Sequence, residues 1–225
     1  MNVYLNVKGD RVRMGRVARR GADITREKLL SAAHDLFVER ATHTATVSEI
    51  CDRADVNVAM VKYCFGSKDG LLDALLERVL RGLSSEIDRL SALHLDPEEA
   101  LHRHVAEIVR NYVRYPYVNR LMNERLQRAE PGAVDRISAS FAIPARDFYA
   151  TLLAEGRRRS GWREIDPTLF FFSVVGICEF LFAAGPLLER SFQATMDPDL
   201  VERYIEHATA LVSAGVAQRV PGPTR

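Results

Sequence analysis

Apolar residues recur every three or four positions along most of the chain, which is the period of an amphipathic helix and not of a strand. Alternating apolar runs joined by a short hairpin turn, the signal for paired strands, do not stand out. We therefore predict an all-α protein. The predicted helices cover about residues 25–40, 46–54, 57–64, 68–93, 97–114, 117–129, 133–160 with a kink or break at Pro144, 167–188 and 198–217.

Residues with short polar side chains are placed to begin three of these helices. Thr46 and Glu49 are spaced as a capping box, in which each side chain accepts a hydrogen bond from the other residue's backbone N–H. Asn57 is expected to cap the third helix and Ser67 the fourth. The second and third helices are therefore short, and a tight turn at 54–57 joins them.

Two short helices joined by a tight turn, after one packing helix, predict a helix-turn-helix unit. The second of them is short enough to enter the major groove of DNA, with small or polar side chains on its outer face. Ala59 allows close approach of the backbone, and Lys62 and Tyr63 can reach phosphates. Val58 or Met60 can touch a thymine methyl group. The pattern alone also permits a helical hairpin that does not bind DNA.

A longer signature spans about residues 22–82 and includes this unit. It consists of Ala33…Leu36-Phe37, Thr46-Val47…Ile50-Cys51…Ala54-Asp55-Val56-Asn57 and Val61-Lys62-Tyr63-Cys64-Phe65-Gly66-Ser67-Lys68-Asp69-Gly70-Leu71-Leu72. The signature resembles that of the TetR/AcrR family of bacterial transcription regulators. The resemblance implies a dimeric repressor that a small-molecule effector releases from a palindromic operator in double-stranded DNA. Asp55 stands where the family usually has glycine, and Asp tolerates the positive φ of such a turn.

The resemblance also implies a division of the chain. We expect a flexible basic arm at 1–21, a DNA-binding domain at 22–82, a larger helical ligand-binding and dimerisation domain at 83–219, and a frayed tail at 220–225. The predicted DNA contacts are Thr46, Asn57, Val58, Ala59, Met60, Lys62, Tyr63 and Lys68. Short segments at 115–121 and 165–167 resemble the C-terminal domain of pyrimidine-utilisation repressors within this family, and no ligand is assigned from them.

The last helix carries an apolar stripe that we interpret as a homodimer interface. Together with the very apolar helix near 169–184, it leaves more apolar surface than a monomer normally exposes. The alternative is burial of the stripe within one chain. The predicted interface residues are Phe172, Val201, Tyr204, Ile205, Ala208, Leu211 and Val212.

Ionisable groups on apolar helix faces mark the predicted effector site. A buried charge is unfavourable unless it is paired, so Arg125 and Glu179 should meet each other or a ligand. The alternative is that the two form a structural ion pair, or that the Arg125 side chain extends to the solvent-exposed rim of the helical bundle. The predicted ligand-binding residues are His104, Tyr112, Arg125, Phe148 and Glu179.

The apolar stretch 168–188 has nearly the length of a membrane span. Glu179 at its centre is unfavourable in lipid, and Gly185-Pro186 would break a span near its end. We therefore interpret the stretch as a buried helix and expect no membrane association.

Composition and charge limit the classes of protein to which this chain can belong. The net charge of the 225 residues is only +1, but residues 1–28 carry eight Lys or Arg against three acidic residues. Three widely spaced cysteines form neither a disulfide framework nor a metal finger, which favours the cytoplasm. His102 and His104 lie about 200° apart on a helix and cannot share a metal. We expect no metal, no cofactor and no enzymatic activity; the alternatives are a partner-binding or structural helical dimer, or an enzyme.

Overall fold

The computed structural model describes residues 7–128 and 131–218, and the side chains of 21–128 and 132–218. Every regular element in these ranges is helical, so the predicted all-α fold is confirmed. The elements are α1 (Val7–Arg40), α2 (Val47–Ala54), α3 (Ala59–Phe65), α4 (Lys68–Ala92), α5 (Pro97–Arg114), α6 (Val118–Arg128), α7 (Pro131–Ile137), a π-helical turn (Ser138–Ala142), α8 (Ile143–Ser160), α9 (Pro167–Ala183), α10 (Gly185–Phe192) and α11 (Pro198–Val216).

The chain divides into two compact units, and the boundary between Leu76 and Glu77 lies inside α4. The predicted boundary at 82–83 falls in the same helix. The first unit contains α1, α2, α3 and the start of α4. Its core is built from one face of each helix, where the following side chains have almost no exposed surface: Leu29, Leu30, Ala33, Phe37, Ile50, Cys51, Val61, Leu71 and Leu75.

The start of the first helix differs from the prediction. α1 begins at Val7 and not near residue 25, so residues 7–21 of the predicted arm are helical. Arginine is a good helix former, and the five arginines among residues 7–21 outweigh the three glycines at 9, 15 and 21. Residues 1–6 and the predicted frayed tail at 220–225 lie outside the described residues.

The predicted helix caps are confirmed. The Thr46 hydroxyl accepts a hydrogen bond from the Glu49 N–H at 3.2 Å, and Glu49 Oε2 accepts one from the Thr46 N–H at 2.7 Å. Asn57 Oδ1 accepts from the Ala59 N–H at 2.8 Å, and Ser67 Oγ accepts from the Gly70 N–H at 3.0 Å. These bonds fix where α2, α3 and α4 begin. Asp55, with φ of 53°, ends α2 in the left-handed conformation that the family usually gives to glycine.

The second unit has its own core, formed by α5, α8, α9 and α11. Here the dimer prediction needs correction. Val201, Ile205, Ala208 and Val212 are at most 8% exposed and belong to the core of one subunit. The alternative, burial within one chain, therefore holds for these four residues, because α11 turns its apolar stripe towards α5 and α9.

Two predicted helices are divided in the structure. The segment 133–160 is interrupted by the π-helical turn, and Pro144 follows at the start of α8. Pro144 has no N–H to donate, and the carbonyl oxygen of Ser140, four residues earlier, accepts a hydrogen bond from the Ser84 hydroxyl. The segment 167–188 splits into α9 and α10, which are bent by 60°. In the described part of the chain, no single helix has the length and hydropathy of a membrane span, although α9 and α10 together have the composition of one.

Candidate DNA-binding surface and effector cavity

The outer face of α3 and its preceding turn is exposed in the way that groove binding requires. Tyr63 is 72% exposed and Val58 50%, and Ala59 and Lys62 are also exposed. Met60 is half-buried. On the opposite face, Val61 is 3% exposed and anchors the helix in the core, as the apolar pattern indicates. Thr46, Asn57 and Lys68 are also exposed.

Arg26 of α1 holds the far end of α3. Its Nη1 donates a hydrogen bond to the Cys64 carbonyl oxygen at 3.4 Å, and its guanidinium lies 4.6 Å from the centre of the Phe65 ring. A cation at the C-terminus of a helix is favoured by the partial negative charge there. The sequence pattern missed Arg26, because the two partners are 38 residues apart and no local spacing relates them.

Two ion pairs fasten α2 to the end of α1. Arg40 Nη2 lies 2.8 Å from Glu49 Oε1, and Arg53 Nη1 lies 2.8 Å from Glu39 Oε1. The hydrogen bond from Arg40, followed by that from the Thr46 backbone, lowers the pKa of Glu49 to about 2. The carboxylate therefore stays ionised and keeps the capping box closed at neutral pH. The two ion pairs hold α2 against α1, and α2 leads directly into the turn and α3.

The second unit contains a cavity of about 1410 Å³. Apolar side chains from α4, α6, the π-helical turn, α8 and α9 form much of its wall, and α5 contributes residues along most of its length. The apolar lining includes Leu80, Leu83, Ile87, Leu90, Ile108, Val118, Met122, Phe141, Ala145 and Val175. A mainly apolar concave site with a few polar groups is the usual form of a small-molecule site.

His104 and Tyr149 are two buried ionisable groups in the lining of this cavity. The His104 side chain is 6% exposed, and its Nε2 shares a hydrogen bond of 2.9 Å with the hydroxyl of Tyr149, which has no exposed surface. Burial lowers the pKa of His104 to about 4 and raises the pKa of Tyr149 well above its usual value. Both side chains are therefore uncharged at neutral pH.

Two of the five predicted ligand-binding residues line the cavity, and three do not. His104 and Tyr112 line the cavity, and burial followed by the nearby charge of Glu179 raises the pKa of Tyr112. Arg125, Phe148 and Glu179 are not among the lining residues, although the Phe148 ring packs 4.7 Å from that of His104. The prediction that these three line the effector site is therefore not supported by the cavity geometry.

Arg125 and Glu179 each have a protein partner. Arg125 is 2% exposed, and its Nη1 lies 3.7 Å from Glu124 Oε1. Glu179 Oε1 accepts a hydrogen bond from Asn123 Nδ2 at 3.2 Å. The partner seen for Arg125 is Glu124 and that for Glu179 is a neutral amide, and at 2% exposed Arg125 does not reach the rim.

A stripe of apolar surface remains on α9 after the core has formed. Leu169, Phe172 and Phe180 are 66–68% exposed, although Phe170, Phe171 and Val174 of the same helix are buried. Leu211 of α11, at 49%, and Phe192 of α10, at 69%, are also exposed. Two of the seven predicted interface residues, Phe172 and Leu211, are therefore on the outside of the subunit. Tyr204 is half-buried, with its hydroxyl bonded to the Ile177 carbonyl oxygen.

Known proteins share this architecture of a helix-turn-helix unit followed by a helical unit. A TetR transcription regulator from Haloarcula marismortui superimposes with a TM-score of 0.66 at 19% identity, over 86% of this chain and 98% of that one. In sequence, residues 29–75 match the model of bacterial regulatory proteins of the tetR family, and residues 94–220 match the tetracyclin repressor-like C-terminal domain.

Individual relatives agree with these matches. The HTH-type transcriptional repressor NicS of Pseudomonas putida is 33% identical over 161 residues, which are 71% of this chain and 76% of NicS. The HTH-type transcriptional regulator BetI of Vibrio parahaemolyticus is 32% identical over 101 residues, 44% of this chain and 49% of BetI. The chain therefore belongs to the tetR family of bacterial regulatory proteins, as its signature indicated. It is a ligand-responsive, DNA-binding transcription regulator.

Proposed function

We propose that this protein is a homodimeric transcriptional repressor that binds a palindromic operator and is released from it by a small-molecule effector. The observation that carries the proposal is the combination, in one chain, of an exposed recognition helix and a separate helical unit with a large, mainly apolar cavity. NicS of Pseudomonas putida is itself a repressor by name, which supports repression over activation. Because such an operator lies on the chromosome, we place its action in the cytoplasm.

Contacts to DNA are proposed for the exposed face around α3. Tyr63 and Lys62 suit phosphates, and Val58 and Met60 suit base edges, since the former carry polar ends and the latter only apolar surface. Lys68 suits a phosphate because it stands at the start of α4, where the helix N–H groups also favour an anion. Phosphate contacts set the position on the duplex, and base contacts set the preferred sequence.

The experiment is an anisotropy titration of the full-length protein with the duplex recovered by chromatin-based mapping of bound sites. Lys68→Ala should weaken binding to all sequences and lower the slope of log affinity against log salt by about 1. Met60→Ala should instead change the ranking of operator variants. Arg120→Ala is the control, since it also removes one exposed positive charge, but from the second unit.

Two results would contradict the proposal. Binding that depends on neither salt nor sequence would remove specific DNA recognition. If Lys68→Ala left affinity and slope as in the wild type, while the mapped operator was still bound, the surface around α3 would not dock as described.

Dimerisation is proposed through the exposed stripe of α9, extended by Leu211 and Phe192. Large exposed apolar side chains concentrate on this stripe, and apolar patches of this kind mark interaction sites in proteins that are otherwise polar outside. A two-fold dimer presents two copies of α3, which matches a palindromic operator. Phe172 and Leu211 are retained from the predicted interface, and the four core residues of α11 are not.

Effector action is proposed to pass along α4. This helix begins with Lys68 in the DNA-binding unit, and its second half supplies the cavity residues Leu80, Leu83, Ile87 and Leu90. An effector that binds better to the conformation unsuited to the operator shifts the population towards it. A coupling free energy of about 1–3 kcal/mol is sufficient for regulation.

A further inference from the structure

Charged and uncharged polar groups are separated in the lining of the cavity. Among the lining residues that the structure describes, His104 and Asn119 are each 6% exposed and carry no charge at neutral pH. Every charged residue of the lining is more exposed. Glu86 is 21% exposed, and Arg110 and Arg114 are 48% and 49% exposed. The buried part of the wall is therefore polar only at uncharged groups.

Three charged residues at the exposed side of the lining, Glu86, Arg110 and Arg114, have partners of opposite sign. Arg114 Nη1 lies 3.3 Å from Glu86 Oε1, and Arg114 Nη2 lies 3.5 Å from Glu107 Oε1. Arg110 Nη2 lies 3.5 Å from Glu202 Oε2. An ionised ligand would have to compete with these pairs at the mouth or enter a wall without a counter-ion. Burial of an unpaired charge is strongly unfavourable.

Two polar groups of the buried wall are held in place by side-chain hydrogen bonds: Asn119 Oδ1 accepts from Asn123 Nδ2 at 2.9 Å, and His104 is bonded to Tyr149. The hydroxyl of Tyr149 has no exposed surface and is bonded to His104 Nε2, so it orients the imidazole and is not itself open to a ligand. A neutral imidazole has one N–H and one unprotonated nitrogen. With Nε2 bonded to Tyr149, Nδ1 is a donor in one tautomer and an acceptor in the other. The same nitrogen can therefore serve a hydroxyl or a carbonyl group.

We infer that the effector is an uncharged, mainly apolar molecule whose single hydroxyl or carbonyl group hydrogen-bonds to His104, with Tyr149 as the residue that positions the imidazole. This inference rests on the proposed function, since it names the class of ligand for the same cavity. Organic acids and quaternary amines are excluded from the buried wall by the absence of a charged partner among its described residues. The volume of about 1410 Å³ exceeds the range usual for drug-sized ligands, so a bulky molecule fits.

The test is isothermal titration calorimetry of the full-length protein at neutral pH with three probes of one shape. The probes are 2-naphthol, 2-naphthoate and (2-naphthylmethyl)trimethylammonium, which share a bicyclic ring and differ in charge. We expect 2-naphthol to bind at least about tenfold more tightly than either ion, because only the ions must lose hydration without a partner.

Variants of His104 and Tyr149 then test whether this hydrogen-bonded pair contributes to binding. In Tyr149→Phe and in the double variant His104→Phe/Tyr149→Phe, 2-naphthol should bind about three- to tenfold more weakly, the range that corresponds to one hydrogen bond. The double variant leaves no buried polar partner unsatisfied, so it guards against misfolding of the single variant. Tyr204→Phe is the matched control, because it removes a tyrosine hydroxyl that is bonded to the Ile177 carbonyl oxygen and lies outside the cavity lining.

A gain of function gives a second check. Met122 lines the cavity and is half-buried, so Met122→Lys places a flexible cation in the wall. The preference for 2-naphthol over 2-naphthoate should then shrink or reverse.

The inference is overturned if 2-naphthoate or the ammonium probe binds the wild type as tightly as 2-naphthol, or if 2-naphthol shows no detectable binding. It also fails if the double variant binds 2-naphthol as the wild type does. Operator binding without any probe tests the proposed function separately. If the protein binds its operator but prefers 2-naphthoate, the proposed function stands and the inference about the effector is wrong. If it prefers 2-naphthol but does not bind DNA, the proposed function is wrong and the preference for an uncharged ligand stands.

Discussion

Gly70 lies in the first turn of α4, where a single added methyl group would meet the end of the recognition helix. A Cβ atom at this position would come 2.1 Å from the carbonyl oxygen of Phe65, the last residue of α3, and real Cβ contacts essentially never fall below 3.0 Å. Alanine here must therefore move the end of α3 or the start of α4 by about 1 Å, because the obstacle is backbone and cannot rotate away as a flexible side chain can.

Gly82 provides a matched control in the same helix. A Cβ atom there has no neighbour within 4 Å. Gly82→Ala should therefore stabilise the protein by about 0.5–1 kcal/mol through helix propensity alone. Gly70→Ala gains at most the same amount and loses about 1–3 kcal/mol to overpacking. The difference between the two variants isolates the overlap and corresponds to a gap in melting temperature of about 2–12 °C for a chain of this size.

Thermal unfolding followed by circular dichroism measures this gap, at one fixed protein concentration because the proposed dimer would make stability depend on concentration. Anisotropy titration with the operator measures how much the displacement of α3 weakens DNA binding. We expect Gly70→Ala to melt lower and bind DNA more weakly, and Gly82→Ala to melt higher and bind as the wild type. Equal melting temperatures together with equal affinities would refute the view that this contact positions the recognition helix.

Two further predictions concern the dimer and the capping box. Phe180→Arg and Leu211→Arg should each produce monomers in light scattering, since an unpaired charge would enter an apolar interface. Val113→Arg, at an apolar position of α5 that is 49% exposed, should not, and a dimer that survives both stripe variants would place the interface elsewhere. The pKa of Glu49 is depressed from 4.5 to about 2, so its contribution to stability is present above about pH 4.5 and is lost as the pH falls towards 2. Urea titrations should therefore show the wild type losing its advantage over Glu49→Gln in that window, and a difference that stays constant across it would mean that the charge of Glu49 does not stabilise the fold.

The features that the sequence alone determined are those encoded within one or two helical turns. Thr46 and Glu49 are three residues apart, so their reciprocal hydrogen bonds depend on local geometry and could be predicted. The same holds for Ser67 at the start of α4 and for Val61 on the buried face of α3. The helix-turn-helix unit is made of such local signals, which is why its helices, caps and exposed face follow from the residues and match the family signature.

The partner of each apolar face was decided only by the tertiary structure. The stripe of α11 that contains Ile205 and Ala208 could be recognised from its period, but a period does not say whether a second chain or α5 covers it. Burial of the stripe inside the subunit leaves α9 to present Phe180 outside. The distribution of apolar area among competing surfaces is a property of the whole packed unit and not of a segment.

The chemistry of the cavity depends on tertiary contacts in the same way. His104 and Tyr149 are 45 residues apart, and their hydrogen bond exists because α5 and α8 pack side by side. Arg125 is a charge on an apolar face of α6, and only the tertiary structure shows that it is buried outside the cavity lining. Sequence patterns determine which residues a helix buries, whereas the three-dimensional packing determines what each buried group meets, since solvation and pairing energies depend on neighbours that are distant along the chain.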